Sequence, residues 1–217
     1  MRSLLAIAAL AAVVLVANPA SSAPRLDGLG NPMAANSASS EAVPNRMVTL
    51  SGFGSPVARS VISDPAGDQG VGPGYGDCLR AGVNSSGTNM IVFEKINGTF
   101  PPQPVSDIAT WSWRFDTDLN PQTGYQQYPY IGIEWEILIL ASGSSWTVDK
   151  WSQSTGYQPV PGARMVVRHE STGDLVGVRF PGSEIGSPTQ SNWIAWNGLY
   201  PTWEDVAPDS TVAYWHQ

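Results

Sequence analysis

The sequence predicts an all-β fold, an antiparallel β-sandwich of jelly-roll type with few or no helices. Three observations support this prediction. The 22 glycines and 18 prolines are spread along the chain and leave little room for helices. Beyond the N-terminal segment, no convincing stretch has the apolar spacing of a helix, whereas alternation with period two recurs. Many short strands separated by Gly and Pro turns are typical of sandwiches and barrels.

Alternating side chains define the predicted strands. In the stretch 131–140, four isoleucines and one tryptophan share one face. In the stretch 108–116, three aromatic residues share one face in the same way. The nearly continuous apolar run 137–141 indicates a central strand that is covered on both faces for part of its length. Further strands are predicted at 46–50, 57–62, 78–84, 88–96, 145–151, 163–169, 174–180, 192–197 and 211–215.

The N-terminal segment has the features of an export signal. Arg2 precedes an apolar run from Leu4 to Val16, and small residues follow up to Ala23. The run is shorter than the roughly 20 residues that a membrane-spanning helix needs. We therefore predict a signal peptide at 1–23, a flexible leader at 24–45, and one β-sandwich domain at 46–217. The mature protein is expected to be secreted, without insertion into a membrane.

Charge and cysteine content restrict the classes of partner. The chain has 11 basic and 18 acidic residues, a formal net charge of −7. This balance argues against nucleic acid and against anionic membrane surfaces, which attract basic proteins. Cys78 is the only cysteine, so an intrachain disulfide cannot hold the loops and packing or metal ions must do so. Cys78 itself is expected to be a small buried side chain.

The first acidic loop follows the predicted strand 57–62. Asp64, Asp68 and Asp77 lie in a glycine-rich stretch. Glycines allow backbone carbonyls to turn inward, so that neighbouring carboxylates can share one hard cation. Asp and Gly also favour ordinary turns without any metal. We predict structural calcium in at least one of the two acidic loops.

The second acidic loop begins at Asp116, directly after the predicted strand that ends at Phe115. Asp116, Asp118 and Asn120 place oxygen atoms at positions 1, 3 and 5, as at the start of a calcium-binding loop. Gln127 occupies the twelfth position, where a helix-loop-helix site has its bidentate glutamate. Flanking helices are not predicted either, so a strand-loop-strand calcium site is the remaining form.

The order of these motifs resembles a group of exported β-sandwich domains. The residues concerned are the Asp64-Pro-Ala-Gly-Asp68 loop, the Phe115-Asp-Thr-Asp118-Leu-Asn120 segment and the Gly132-Ile-Glu134-Trp-Glu136-Ile run, with a weaker likeness at 180–182 and 205–209. Together they are similar to the family 9 carbohydrate-binding module and DOMON-type superfamily over roughly residues 61–140. The resemblance implies a sandwich, calcium that is often structural, and binding of sugars or haem in different branches. It also implies that Asp64, Asp68 and Asp77 fill the first acidic loop and Asp116 and Asp118 the second.

Nine tryptophans are a second signal for ligand binding. A Trp ring can stack on a sugar ring, although Trp also fills the cores of small sandwiches. Trp111, Trp113 and Trp135 share faces with other apolar residues and are predicted to be buried. Four others lie near predicted turns and are the candidates for exposed ligand-binding residues: Trp151, Trp193, Trp196 and Trp203.

Three functions are compatible with these patterns. The first is a non-catalytic secreted binding domain with structural calcium, whose partner is an extracellular polysaccharide or another surface ligand. The second is a small glycoside hydrolase that uses Glu134 and Glu136, which would lie about 6.6 Å apart on one side of a strand. The third is a purely structural or adhesive domain. We take the first as the leading hypothesis and predict no catalytic residues under it.

Overall fold

A computed structural model confirms the all-β sandwich. It describes residues 60–68, 72–103, 105, 108–126, 132–142, 145–200, 203–208 and 212–217. The predicted signal peptide, the leader and the strand at 46–50 lie outside the described residues. Helix in the described part of the chain is limited to two short 3-10 turns, Gly74–Gly76 and Gly182–Ile185.

The described strands are numbered in chain order. They are β1 (Ser60–Ser63), β2 (Cys78–Ser86), β3 (Asn89–Ile96), β4 (Ile108–Asp116), β5 (Trp135–Ser142), β6 (Ser145–Ser152), β7 (Gly156–Pro159), β8 (Arg164–Arg168), β9 (Leu175–Pro181), β10 (Gln190–Tyr200), β11 (Trp203–Ala207) and β12 (Ala213–His216). One sheet has the order β1-β2-β3-β9-β8. The other has the order β11-β10-β4-β5-β6-β7, and β12 also pairs with β10. All of these pairings are antiparallel.

The main core lies between the two sheets and is rich in tryptophan. Trp111, Trp113 and Trp193 are completely buried there, as predicted for the first two. The indole nitrogen of Trp113 donates to the carbonyl of Phe93 at 3.3 Å. That of Trp193 donates to the hydroxyl of Ser60 at 2.9 Å. Both bonds run from the larger sheet to the smaller one, so these side chains join the two layers as well as filling the space.

A second apolar cluster covers the other face of the larger sheet. Its buried members come from β5, β6, β7, β10 and the segment before β5: Ile133, Leu138, Leu140, Trp151, Tyr157, Ile194 and Trp196. The apolar run 137–141 therefore has side chains buried on both faces, which confirms the predicted central strand. The predicted face of 131–140 is wrong at its start. The chain turns at Gly132, where φ is +86°, and Ile133 joins the second cluster while Ile137 faces the main core.

Gly198 in β10 makes room for the Trp196 ring. A Cβ atom on Gly198 would lie 2.1 Å from the ring, well inside van der Waals contact. We expect Gly198→Ala to lower the free energy of unfolding by about 1–3 kcal/mol, because the ring must leave its position. Urea denaturation measures this loss. Combining it with Trp196→Leu should cost less than the sum of the two single changes; additive losses would show that the two residues do not compete for this space.

Candidate metal centres

The first centre joins residues that are far apart in the sequence. One carboxylate oxygen from each of Asp64, Asp68 and Asp205 lies within 4.8 Å of the others. Asp64 follows β1 of the smaller sheet, whereas Asp205 belongs to β11 of the larger sheet. The structure therefore brings together the predicted Asp64 and Asp68, and it adds a carboxylate that was not among the predicted ligands.

Asp77, the third acid predicted for this loop, lies outside that group. It is completely buried. Its Oδ2 atom accepts hydrogen bonds from the Gly67 backbone at 2.8 Å and from the Asn97 side chain at 2.7 Å. Because these donors belong to the loop and to the end of β3, Asp77 positions the loop that carries Asp68. Its predicted role as a metal ligand stays a prediction.

Asp205 is held from the opposite side of the sandwich. Its Oδ2 atom accepts the Cys78 backbone N–H at 2.6 Å, and β11 aligns it with Asn197 of β10. The Cys78 side chain is buried, as predicted. Burial raises the pKa of the Cys78 thiol well above its ordinary value, and the charges of Glu94, Asp64 and Asp205 raise it further. Three carboxylates thus lie close enough to Cys78 to act on its thiol.

The second centre forms where β4 leads into its loop and the chain returns to β5. One oxygen from each of Asp116, Asp118 and Glu134 lies within 4.8 Å of the others. Strands β4 and β5 are neighbours, and the Glu134 backbone N–H donates to the carbonyl of Phe115 at 2.9 Å. The pairing of β4 with β5 and this hydrogen bond place Glu134 next to the acidic loop. Asp116 and Asp118 therefore come together as predicted, with Glu134 as the third acid.

Hydrogen bonds fix the carboxylates of the second centre. The Thr117 backbone N–H donates to Glu134 Oε2 at 2.6 Å. The Thr123 hydroxyl lies 2.9 Å from Asp118 Oδ2 and 3.2 Å from Glu134 Oε1, so it sits between the two acids. Asn120 accepts the Gln122 backbone N–H through its side-chain oxygen at 3.1 Å. Asn120 thereby shapes the turn, and its predicted role as a ligand stays a prediction.

Asp116 is the most deeply placed acid of this centre. It is 4% exposed, and its Oδ2 atom accepts the Asn192 amide at 2.9 Å. Its Oδ1 atom is buried and has no hydrogen-bond partner in the described part of the chain. Burial raises the pKa of Asp116, and the charge of Asp118 adds to the effect. Burial likewise raises the pKa of Glu134, to which the charges of Asp118 and Asp116 contribute. A cation would relieve this repulsion.

Two glycines allow the loop to close over these acids. A Cβ atom on Gly132 would lie 3.3 Å from Asp116 Oδ2, and one on Gly124 would lie 2.8 Å from Glu134 Oε1. Both glycines have positive φ, at +86° and +62°, a conformation that costs other residues free energy. The backbone thus approaches the carboxylates more closely than a chain with side chains at these positions would permit.

Glu136 does not belong to either centre. It is 1% exposed, forms an ion pair with Arg114 Nε at 3.0 Å and lies 3.4 Å from the Tyr157 hydroxyl. Glu134 precedes β5, so the predicted placement of both glutamates along one side of a strand is wrong. Because Glu136 is buried and forms an ion pair with Arg114, the structure does not favour the predicted hydrolase that would use Glu134 and Glu136.

The predicted exposure of the ligand-binding tryptophans is wrong for three of the four. Trp151, Trp193 and Trp196 are 3%, 0% and 6% exposed. Trp193 faces the main core, and the other two lie in the second cluster, where the Arg114 guanidinium sits 4.4 Å from the Trp196 ring centre. Side chains near turns are buried here because both faces of the larger sheet are covered. The Trp203 side chain lies outside the description.

Comparisons with known proteins leave the family open. No family model, curated protein or solved structure matches this chain. The resemblance to the carbohydrate-binding and DOMON-type sandwiches therefore stays a prediction. No helix of the described residues has the length and apolar character to cross a bilayer.

Proposed function

We propose that this protein is a secreted, non-catalytic β-sandwich domain that binds calcium at the two acidic centres and uses it to fix its loops. One observation carries the proposal. The fold gathers two separate groups of three carboxylates, each with ligand oxygens within 4.8 Å. Three carboxylates at this spacing repel one another, and a divalent cation removes the repulsion.

The chemistry of the donors favours calcium over other metals. The carboxylates of both centres are hard oxygen ligands, and neither group contains a histidine or cysteine, the ligands typical of zinc. Calcium accepts 6–8 oxygens in variable geometry. The second centre can supply such oxygens from the Thr123 hydroxyl and from loop carbonyls. Magnesium requires a stricter octahedral arrangement, which a glycine-rich loop favours less.

The expected role of the ion differs from that of a catalytic metal. The centres lie where loops leave β1 and β4, so bound calcium would hold those loops against the strands. An extracellular module with millimolar calcium around it can use weak sites for this purpose. A polysaccharide or other surface ligand remains the proposed partner. With three candidate tryptophans buried, that partner must be recognised mainly by other side chains.

Titration calorimetry tests the proposal. Calcium added to the metal-free protein should bind at two sites, one for each group. Asp68→Asn should remove the first and Asp118→Asn the second. Both side chains are exposed, so these variants are expected to fold. The control is Glu170→Gln, a change of a surface acid that pairs with Lys95 and Arg168; it should leave both sites intact. Absence of calcium binding to the wild type would reject the proposal.

A further inference from the structure

Glu94 is a fully buried carboxylate in the middle of the sandwich. It lies on β3 and is 0% exposed. Its neighbours across β2 and β9 are Ala81 and Val176, which are apolar members of the main core and offer no side-chain hydrogen bond. Neither Glu94 oxygen accepts a hydrogen bond of normal geometry from any described residue. The smaller sheet therefore supplies nothing that stabilises this charge.

The polar groups that face Glu94 belong to the first centre and its surroundings. Burial raises the pKa of Glu94 well above its ordinary value, the nearby Asn197 amide lowers it, and the charges of Asp205 and Asp64 raise it further. Glu94, Asp64 and Asp205 also act together on the Cys78 thiol, whose own backbone N–H binds Asp205. The strand register agrees, because Cys78 pairs with Ile96, two residues beyond Glu94 on the same inward face of β3. The Glu94 carboxyl group thus lies behind the first centre, on its core side.

A second unsatisfied acceptor lies at the same place. Asn197 is completely buried and donates through Nδ2 to the Gly76 carbonyl at 3.1 Å, while its Oδ1 atom has no partner within the described residues. Burying a carboxylate without a partner is strongly unfavourable. Two buried groups whose acceptor atoms lack hydrogen bonds of normal geometry, close to the charges of Asp64 and Asp205, create a demand for positive charge at this position.

We propose that Glu94 is the inner ligand of the first centre, so that a divalent cation there is held by acids of both sheets and by one carboxylate from within the core. The inference rests on the proposed function, since it assigns a further ligand to one of its two centres. Glu94 is not within the 4.8 Å group of Asp64, Asp68 and Asp205. Neutralisation of their repulsion by the ion would let the four carboxylates approach.

The two centres then differ in what they connect. In the first, Glu94 lies in the smaller sheet, Asp64 directly follows β1 of that sheet, and Asp205 lies in the larger one, so the ion joins the two layers. In the second, Asp116, Asp118 and Glu134 flank the neighbouring strands β4 and β5 of one sheet. An ion in the first centre should also keep fewer water ligands than an ion in the second centre, because Glu94 takes up one coordination position from the core side. The chain has one cysteine, and this ion would take the place that a disulfide has in other secreted domains.

The test uses the Asp118→Asn protein, in which calcium is expected to bind only at the first centre. In that background Glu94→Gln should weaken calcium binding about 10- to 100-fold. Europium luminescence lifetimes in H₂O and D₂O should show about one more bound water. Without metal, Glu94→Gln should leave the melting temperature unchanged or raise it, because the amide removes a buried unpaired charge. Misfolding cannot produce this combination.

Asp149→Asn is the matched control. Asp149 is 0% exposed, its Oδ1 atom also lacks a partner among the described residues, and β5 aligns it with Leu138 on the opposite face of the larger sheet. Its replacement should not change calcium affinity. If Glu94→Gln leaves affinity and hydration unchanged while Asp68→Asn abolishes binding, Glu94 is a protonated core acid and the inference is overturned, although the proposed function stands. If the wild type binds no calcium, both are overturned.

Discussion

Replacing Glu136 by alanine is expected to lower the free energy of unfolding by about 3–5 kcal/mol, because it leaves the Arg114 charge buried without its carboxylate. Both side chains of this ion pair are nearly inaccessible, at 0% and 1% exposure, with 3.0 Å between Arg114 Nε and Glu136 Oε1. The arginine is also fixed by the Trp196 ring and cannot reach solvent without disrupting the second cluster. Urea or thermal denaturation measures the loss.

The double variant Arg114→Met with Glu136→Leu distinguishes an ion pair from a packing effect. Removing both charges should recover most of the stability, since well-packed apolar residues often replace a buried pair at little cost. The variant Glu136→Gln should be intermediate, because its amide keeps one acceptor for Arg114. If the double variant is as unstable as Glu136→Ala, side-chain shape and not charge accounts for the loss. Equal stability of all variants would contradict the structural role assigned to Glu136.

The strands of this fold could be predicted because their side chains alternate. The strand within 108–116 was predicted to end at Phe115, and the structure extends it by one residue, as Ile108–Asp116. Strands β7 and β11 were missed. β7 contains both a glycine and a proline within four residues, and β11 has consecutive acids where alternation would be expected. In β11, adjacent acids in a strand of five residues remove the alternation by which strands are recognised.

The same limit applies to the metal centres. Asp116 and Asp118 were predicted to lie together because they are neighbours in one loop. Glu134 joins them through the pairing of β4 with β5, and Asp205 reaches Asp64 through the packing of one sheet on the other. The sequence contained no local signal for these contacts. For Glu94, a charged residue at an inward position of β3 was the available sign, and it acquires meaning only when its apolar neighbours are known.

The predicted exposure of the tryptophans is wrong for a different physical reason. Their positions near turns suggested exposure, which holds for a sheet with one face in solvent. The larger sheet is buried on both faces, so Trp193 and Trp196 are buried although they are three residues apart and face opposite sides. The apolar run 137–141 had already indicated such a sheet. β10 belongs to the same sheet, so its side chains are buried on both faces for the same reason.

Withdrawal of calcium at neutral pH is expected to destabilise the protein strongly. An ion that binds only the folded state adds about 2.7 kcal/mol when its free concentration is 100 times its dissociation constant. Two occupied centres would together add about 5 kcal/mol under that condition. The melting temperature should therefore fall when a chelator is added and recover when calcium is restored in excess. Magnesium at the same concentration should restore less of the melting temperature, because its octahedral geometry fits these loops less well.

Asp118→Asn supplies the internal control, because it should act in opposite directions with and without the ion. In the metal-free protein it removes one of three mutually repelling carboxylates, so the melting temperature should stay constant or rise. With calcium present it removes a ligand, so the temperature should fall below that of the wild type. Combined with Asp68→Asn, it should abolish the response to chelator altogether. A melting curve that is identical in calcium and in chelator for the wild type would show that the acidic centres are not occupied and that the sandwich is held by its packing alone.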